Sequence, residues 1–244
     1  MTRLRISDII IPERQVDETV AEYKPLQESA YSHVRDKVLS GQLQPNVLYS
    51  ETRMAAELNI SRTPMKDALV RLSQEKLIDI LPSKGFCLHV MSREDILQTY
   101  QARTAVEGFC AMQLALNRNT PGGQATLRAM EESVTSMGRF LDREAAGTEP
   151  MDAFLEHDLQ FHQALVDFSG NDELRQLFNS YHYRLYFFAL EAFQVEGRLQ
   201  KACGEHREIL AAIQDPSDPV GIQAYLSVMR HMEATRDIML SHGG

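Results

Sequence analysis

The chain has 244 residues, 43% of them hydrophobic, with 34 acidic against 25 basic side chains and a formal net charge of −9. That length allows two domains with cores of their own, and no apolar run approaches the roughly 20 residues of a membrane-spanning helix. With no signal-peptide pattern in MTRLRISDIIIPERQVDE, a cytoplasmic protein without a membrane role is expected. Cys87, Cys110 and Cys203 stand apart with no CxxC pair, as expected of buried thiols in a reducing compartment. The charge is unevenly placed. Residues 1–91 carry twelve basic and twelve acidic side chains, so the whole negative excess falls in residues 92–244. An acidic second half suits sensing or dimerisation better than contact with a polyanion.

Residues 1–28 read as an extension, with Ile9, Ile10 and Ile11 beside Pro12 and only Arg3 and Arg5 as a basic pair. A disordered arm, a strand pairing with a neighbour and a contact with the second domain all remain open for it. A helix is expected from Tyr31 to Leu39, with Val34, Val38 and Leu39 on its packed face. SETRMAAELN gives a second short helix, and Asn59 with Ile60 leaves a tight connection to a third. That third stretch, ISRTPMKDALVRL, carries an N-cap residue in Ser61, Pro64 in its first turn, and Met65, Ala68, Leu69 and Leu72 at helical spacing.

Ser61, Arg62, Thr63 and Lys66 cluster at the exposed start of this helix, where free N–H groups and the helix dipole favour phosphate. Two alternating runs, Leu77–Leu81 and Phe86–Val90, then make a hairpin through Pro82, Ser83, Lys84 and Gly85. Three helices and a hairpin form a winged helix-turn-helix over residues 29–91, with the third helix suited to a major groove. Arg53 and, on the wing, Lys84 and Gly85 complete the candidate DNA contacts. A winged helix that binds protein is the competing reading, and Arg71 and Lys76 are expected to be solvated.

From Ser92 the pattern becomes helical, opening with a capping box at Ser92 and Asp95 and running to Leu116. Further helices are expected near 124–145, 151–168, 173–195, 198–214 and 220–241, each bounded by Gly, Pro, Asn or Asp. The fold class is therefore mainly α, with the winged domain followed by an antiparallel six-helix bundle over residues 92–244.

Asp158 and His162 are four residues apart and share a helix face, while His206 and His231 lie on or near apolar stripes of two later helices. Each alone reads as a hydrogen-bonded core residue. Together they offer one oxygen and three imidazole nitrogens, a donor set for a divalent metal: zinc foremost, with nickel, manganese or iron(II) also suited. His157 is expected to be exposed, and His33, His89, His182 and His242 structural. Arg103 and Glu107 are spaced for a surface ion pair or for a pocket, and Tyr100 and the YHYRLYFF run could line a pocket or a core.

The order GQLQPNVLYSE, AAELNISRTPMKDALVRL, EKLI and SKGF resembles the DNA-binding domain of GntR-type bacterial transcription regulators. Asn46 and Lys76 stand where that family often has glycine, and Lys66 where it often has arginine. Lysine lacks the bidentate fork, so Arg62 is the stronger candidate for base reading and Lys66 for phosphate. Asp158, Phe161, His162 and Leu165, then Gly170, Asn171 and Leu174, then Glu205, His206 and Ile209, then His231, resemble the FCD effector-binding domain of the FadR subfamily.

The resemblance implies metal ligation by Asp158, His162, His206 and His231, with Arg103, and Tyr100 beside it, facing an effector carboxylate. It also implies a homodimer reading an inverted repeat in double-stranded DNA under control of a small organic acid. The alternatives are a metal-dependent enzyme joined to a DNA-binding domain and a regulator whose metal is purely structural. No paired general acid and base accompanies the metal-type residues, which weighs against the enzyme.

Overall fold

The computed structural model describes residues 25–144 and 151–242. The expectations for Arg3, Arg5 and Ile9–Ile11 lie outside the described residues. Three helices open the fold: α1 (Leu26–Leu39), α2 (Glu51–Glu57) and α3 (Arg62–Gln74). The helix expected from Tyr31 begins at Leu26, directly after Pro25, and its first turn carries Glu28, which pairs with Arg71 of α3. Ser50 caps α2 by accepting from the Arg53 N–H, whereas Ser61 occupies the N-cap of α3 without a side-chain hydrogen bond. Asn59 takes a φ of 53° in the turn between them. Asparagine tolerates this left-handed conformation better than most residues.

β1 (Ile78–Leu81) and β2 (Gly85–Leu88) pair antiparallel with Ile78 opposite Leu88, and Tyr49 exchanges two backbone hydrogen bonds with Phe86 at the strand edge. Met65, Ala68, Leu69 and Leu72 of α3 close a core with Ala30, Val34, Ile78 and Phe86. Gly85 has φ +129°, and a Cβ there would stand 2.1 Å from the Tyr49 carbonyl oxygen, so the wing needs glycine at this point. Asn46 and Lys76, at positions where the related family favours glycine, have φ of 62° and 56°.

Seven helical segments follow among the described residues: α4 (Arg93–Leu116), α5 (Pro121–Glu144), α6 (Met151–Phe168), α7 (Asp172–Ser180), α8 (His182–Ala192), α9 (Arg198–Gln214) and α10 (Ile222–His242). The capping box at the start of α4 is formed in both directions by Ser92 and Asp95. α4 packs along α10 and α5 along α6, and one continuous apolar core runs through the bundle. The helix expected over 173–195 is split at Tyr181, which leaves helical geometry with φ −113° and ψ 5°. The break buries the Tyr181 ring edge-on against Phe178, and no glycine or proline marks it.

The two parts meet through side chains. Lys76 forms an ion pair with Asp95, which also accepts from Ser92, and Phe187 of α8 packs against the core of the winged domain. Arg71, expected to be solvated, stacks 3.8 Å over the Tyr31 ring and pairs with Glu28 and Glu75. Arg71 and Lys76 both stay partly in solvent, and both are paired with carboxylates that the fold brings to them.

Candidate functional site

α6 carries Asp158 and His162 one turn apart, α9 presents His206, and α10 presents His231. All four side chains are buried, His206 completely. One ligand nitrogen from each histidine lies within 4.8 Å of the others. Asp158 stands beside this group, its Oδ1 3.4 Å from His206 Nε2.

The outer nitrogens explain which atoms face inward. His206 Nδ1 donates to the Ala202 carbonyl at 2.7 Å, and His231 Nδ1 donates to Glu205 Oε2 at 2.7 Å. His162 Nδ1 lies 2.6 Å from Glu107 Oε2, an ion-pair distance at an angle short of a well-formed hydrogen bond. A carbonyl or carboxylate accepts only, so His206 and His231 carry a proton on Nδ1 and turn Nε2 toward the shared space, and His162, with Nδ1 beside Glu107, is turned the same way. His206 Nε2 and His162 Nε2 are 3.2 Å apart. A hydrogen bond between them would need a second proton on one ring.

Burial pushes the His206 imidazole well below the ordinary histidine range, and neighbouring His231 and His162 push it the same way. Burial also lowers His231, against the opposing pull of Glu205. Three converging imidazole nitrogens beside a carboxylate match the donor set of a divalent cation.

Behind the histidines stand two arginine–glutamate pairs. Arg103 Nε donates to Glu107 Oε1 at 2.7 Å, and both side chains are buried, which removes the surface reading of this pair. Burial raises the Glu107 carboxyl, but the Arg103 guanidinium and the contact from His162 outweigh it and hold the group at about 2. Arg198 forks onto Glu205 through Nη1 and Nη2, each at 2.7 Å, and donates to Thr235 Oγ1 at 2.8 Å. Burial likewise raises Glu205, and the hydrogen bonds from His231 and Arg198 overcome it, holding the carboxyl at about 2.

A cavity of about 20 Å³ lies against this site, lined by Tyr100, Arg103, Asp158, Arg198, His231 and Thr235, with Leu159, Leu185, Ala189 and Phe193 on its apolar side. Of the YHYRLYFF run, Leu185 reaches the cavity, while Tyr181 and Phe188 belong to the core. His157 is half-buried rather than exposed, with Nδ1 3.1 Å from Gln160 Oε1. His33 sits against Glu57, and His89 lies between Asp79 and Asp95.

The fold gathers His162, His206 and His231 with Asp158 beside them, and the residue that sequence reading passed over is Arg198. Its position was itself a signal: a cation in the first turn of a helix opposes the helix dipole and calls for a buried acidic partner.

At the other end of the chain, Arg53, Ser61, Arg62, Thr63, Lys66 and Lys84 are all exposed and Gly85 is half-buried. Arg62 keeps 69% of its side chain in solvent, with only a 3.5 Å approach to Glu51. The residues at the start of α3 are thus available, whereas those at its end are committed to packing.

The sequence pattern described as "Bacterial regulatory proteins, gntR family" matches residues 26–88, and that of the FCD domain matches residues 98–234. The chain belongs to the GntR family. It is a transcription regulator with a DNA-binding winged helix-turn-helix and a C-terminal effector-binding FCD domain of the FadR-like kind.

Among its relatives is the HTH-type transcriptional regulator YdhC of Bacillus subtilis (strain 168), 24% identical over 205 residues, which span 82% of this chain and 86% of the relative. The Nta operon transcriptional regulator of Aminobacter aminovorans is 30% identical over 149 residues, 61% of this chain and 66% of that one. A GntR transcriptional regulator from Rhodococcus sp. RHA1 shares the fold with a TM-score of 0.63 at 19% identity, covering 88% of this chain and 98% of its own. These relatives are regulators, not enzymes. Among the described residues, no helix is long and apolar enough to cross a membrane.

Proposed function

We propose that this regulator controls its affinity for DNA through a small organic acid bound at a divalent metal, zinc before nickel, manganese or iron, in the FCD domain. The observation that carries this reading is the convergence of three buried histidine nitrogens, two of the rings held by hydrogen bonds on Nδ1 and the third against Glu107. His162, His206, His231 and Asp158 hold the metal, which supplies a Lewis-acid anchor for a carboxylate when bound. Arg103 and Tyr100 face the same cavity and receive further effector atoms.

In this reading residues 29–91 form the DNA-reading unit and residues 92–244 the sensor, following an extension over residues 1–28. Two copies, acting in the cytoplasm, read an inverted repeat in duplex DNA through Arg62 at base edges and through Ser61, Thr63, Lys66, Arg53, Lys84 and the Gly85 backbone at the sugar-phosphate frame. The effector acts by favouring one placement of the winged domains over another.

α8 supports such a link. Leu185 and Ala189 line the cavity, while Phe187, pointing the other way round the helix, packs on the winged core. A ligand larger than a water must displace that wall, and the displacement carries Phe187 with it.

The test is elemental analysis of the purified protein and of Asp158→Ala, followed by operator binding with and without small carboxylates. Near-stoichiometric metal that is lost in Asp158→Ala, and a carboxylate-dependent change in operator affinity, are expected. A metal-free wild type after reconstitution would refute the metal role.

A further inference from the structure

An open cleft of about 540 Å³ lies between the winged domain and the bundle. α1 and α3 supply one wall through Glu28, Tyr31, Arg35, Arg71 and Glu75, and α6 and α7 supply the other through Gln163, Gln176, Asn179 and Ser180. A space of this size holds a small organic molecule, and clefts between domains are frequent places for one. None of the three clustered histidines lines it.

Arg71 sets the shape of a suitable ligand. One face of its guanidinium lies 3.8 Å over the Tyr31 ring, while Nη1 donates to Glu28 and Nε to Glu75. With one face covered and two nitrogens committed, what this 43% exposed side chain offers the cleft is chiefly its second face. Such a face is weakly hydrated and stacks on flat π rings. The charge of Arg71 is already met by two carboxylates, and Arg35 is paired with Asp36, so the lining has no call for an anion.

The opposite wall sets what the ring carries. Gln176 and Asn179 stand three residues apart on α7, hence on one helix face, and neither side-chain amide has a hydrogen-bond partner among the described residues. A carboxamide presents a donor beside an acceptor, the complement of a ring edge that carries an acceptor beside a donor, as adenine does. A saturated ring such as a sugar has no π face to set against the guanidinium.

We propose that this cleft is a second ligand site, separate from the cavity beside the histidines, and that it takes an uncharged nucleobase or nucleoside, adenosine foremost. The base stacks on Arg71, and its edge is held by Gln176 and Asn179. Because the two walls belong to different domains, a bound base favours the placement that keeps the walls one ring apart, and so changes DNA affinity without touching the metal-type residues.

Calorimetric titration of the full-length protein with adenosine, inosine and ribose tests the site. Adenosine is expected to bind and ribose not to. Inosine, in which an oxygen acceptor replaces the amino donor of the edge, should bind about threefold to tenfold more weakly, the range for one neutral hydrogen bond. Arg71→Lys keeps a cation for Glu28 and Glu75 but removes the flat face, and should weaken adenosine by about threefold to thirtyfold. Gln176→Ala and Asn179→Ala change exposed positions, so the fold should be retained by circular dichroism while each weakens adenosine about threefold to tenfold.

No binding of adenosine at millimolar concentration, or equal binding of ribose, overturns the proposal. Adenosine binding that survives all three substitutions overturns it as well, since the nucleoside would then lie elsewhere. Inosine bound as tightly as adenosine overturns the role of the carboxamides. Saturating adenosine should also change the affinity of wild type for its operator, and an affinity that does not move overturns the link between the cleft and DNA binding.

Discussion

The two working ends of this regulator are built by opposite rules. At the start of α3, Arg62 is mostly in solvent and the Ser61 side chain makes no capping hydrogen bond, so the helix N–H donors are left free for a partner that arrives from outside. In the bundle, His206 is wholly buried, and His206 and His231 are oriented by hydrogen bonds on Nδ1 while His162 lies against Glu107. Nucleic-acid contacts gain from long side chains that adjust to the phosphate frame. A metal site gains from ligands that cannot move, because ordering them has already been achieved in folding. Substitutions at the buried end should therefore act steeply and locally, and those at the exposed end gradually and in a salt-dependent way.

The largest effect is expected for His206→Ala, which removes the most buried of the three nitrogens. Metal should fall to background by elemental analysis, while the winged domain keeps its structure, read as retained non-specific DNA binding. Full metal occupancy in this variant would take His206 out of the site. Glu205→Gln should be milder, since it touches no metal but loses the ionised acceptor behind His231 and the fork from Arg198. About 10- to 100-fold weaker metal affinity is expected from competition with a chelator. An unchanged affinity would reduce the Arg198–Glu205 pair to packing.

At the exposed end, Arg62→Ala should cost roughly 1–3 kcal/mol of discrimination between operator and random duplex if Arg62 forks onto a base. Lys66→Ala should weaken both duplexes alike and reduce the salt slope by about one. If the two substitutions gave the same pattern, the division between base reading and phosphate contact on α3 would fail.

The contrast also decides what could be read from sequence. The exposed polar start of α3 was legible because it depends only on residue types at neighbouring positions. Asp158 and His162 were legible because four-residue spacing places them on one face, and His206 and His231 because polar groups interrupt apolar stripes. The glycine-like positions Asn46 and Lys76 were visible only against the related family, and their positive φ supplies the physical reason.

What stayed hidden depends on distant pairing. Arg198 and Thr235 meet across 37 residues, and Arg71 reaches Glu28 across 43. No local pattern records such distances. Tyr181 breaks a helix by burying its ring, a tertiary gain that overrides local helical preference and leaves no breaker residue behind.

The junction between the two ends offers the smallest effect and a test of how they are joined. Burial of Asp95 favours its neutral form, but the Lys76 ammonium and the Ser92 donors outweigh that and hold the carboxyl well below its ordinary 3.8. A carboxyl depressed in the folded state adds stability that is fully present above its unfolded pKa and is lost as pH falls through the folded one. Asp95→Asn keeps the size and removes the titration. Its stability deficit relative to wild type should therefore be largest above pH 4 and shrink as the pH falls further, measured by denaturant unfolding at each pH. A deficit independent of pH would mean that Asp95 serves the α4 capping box alone, and that the ion pair with Lys76 does not help to hold the winged domain against the bundle.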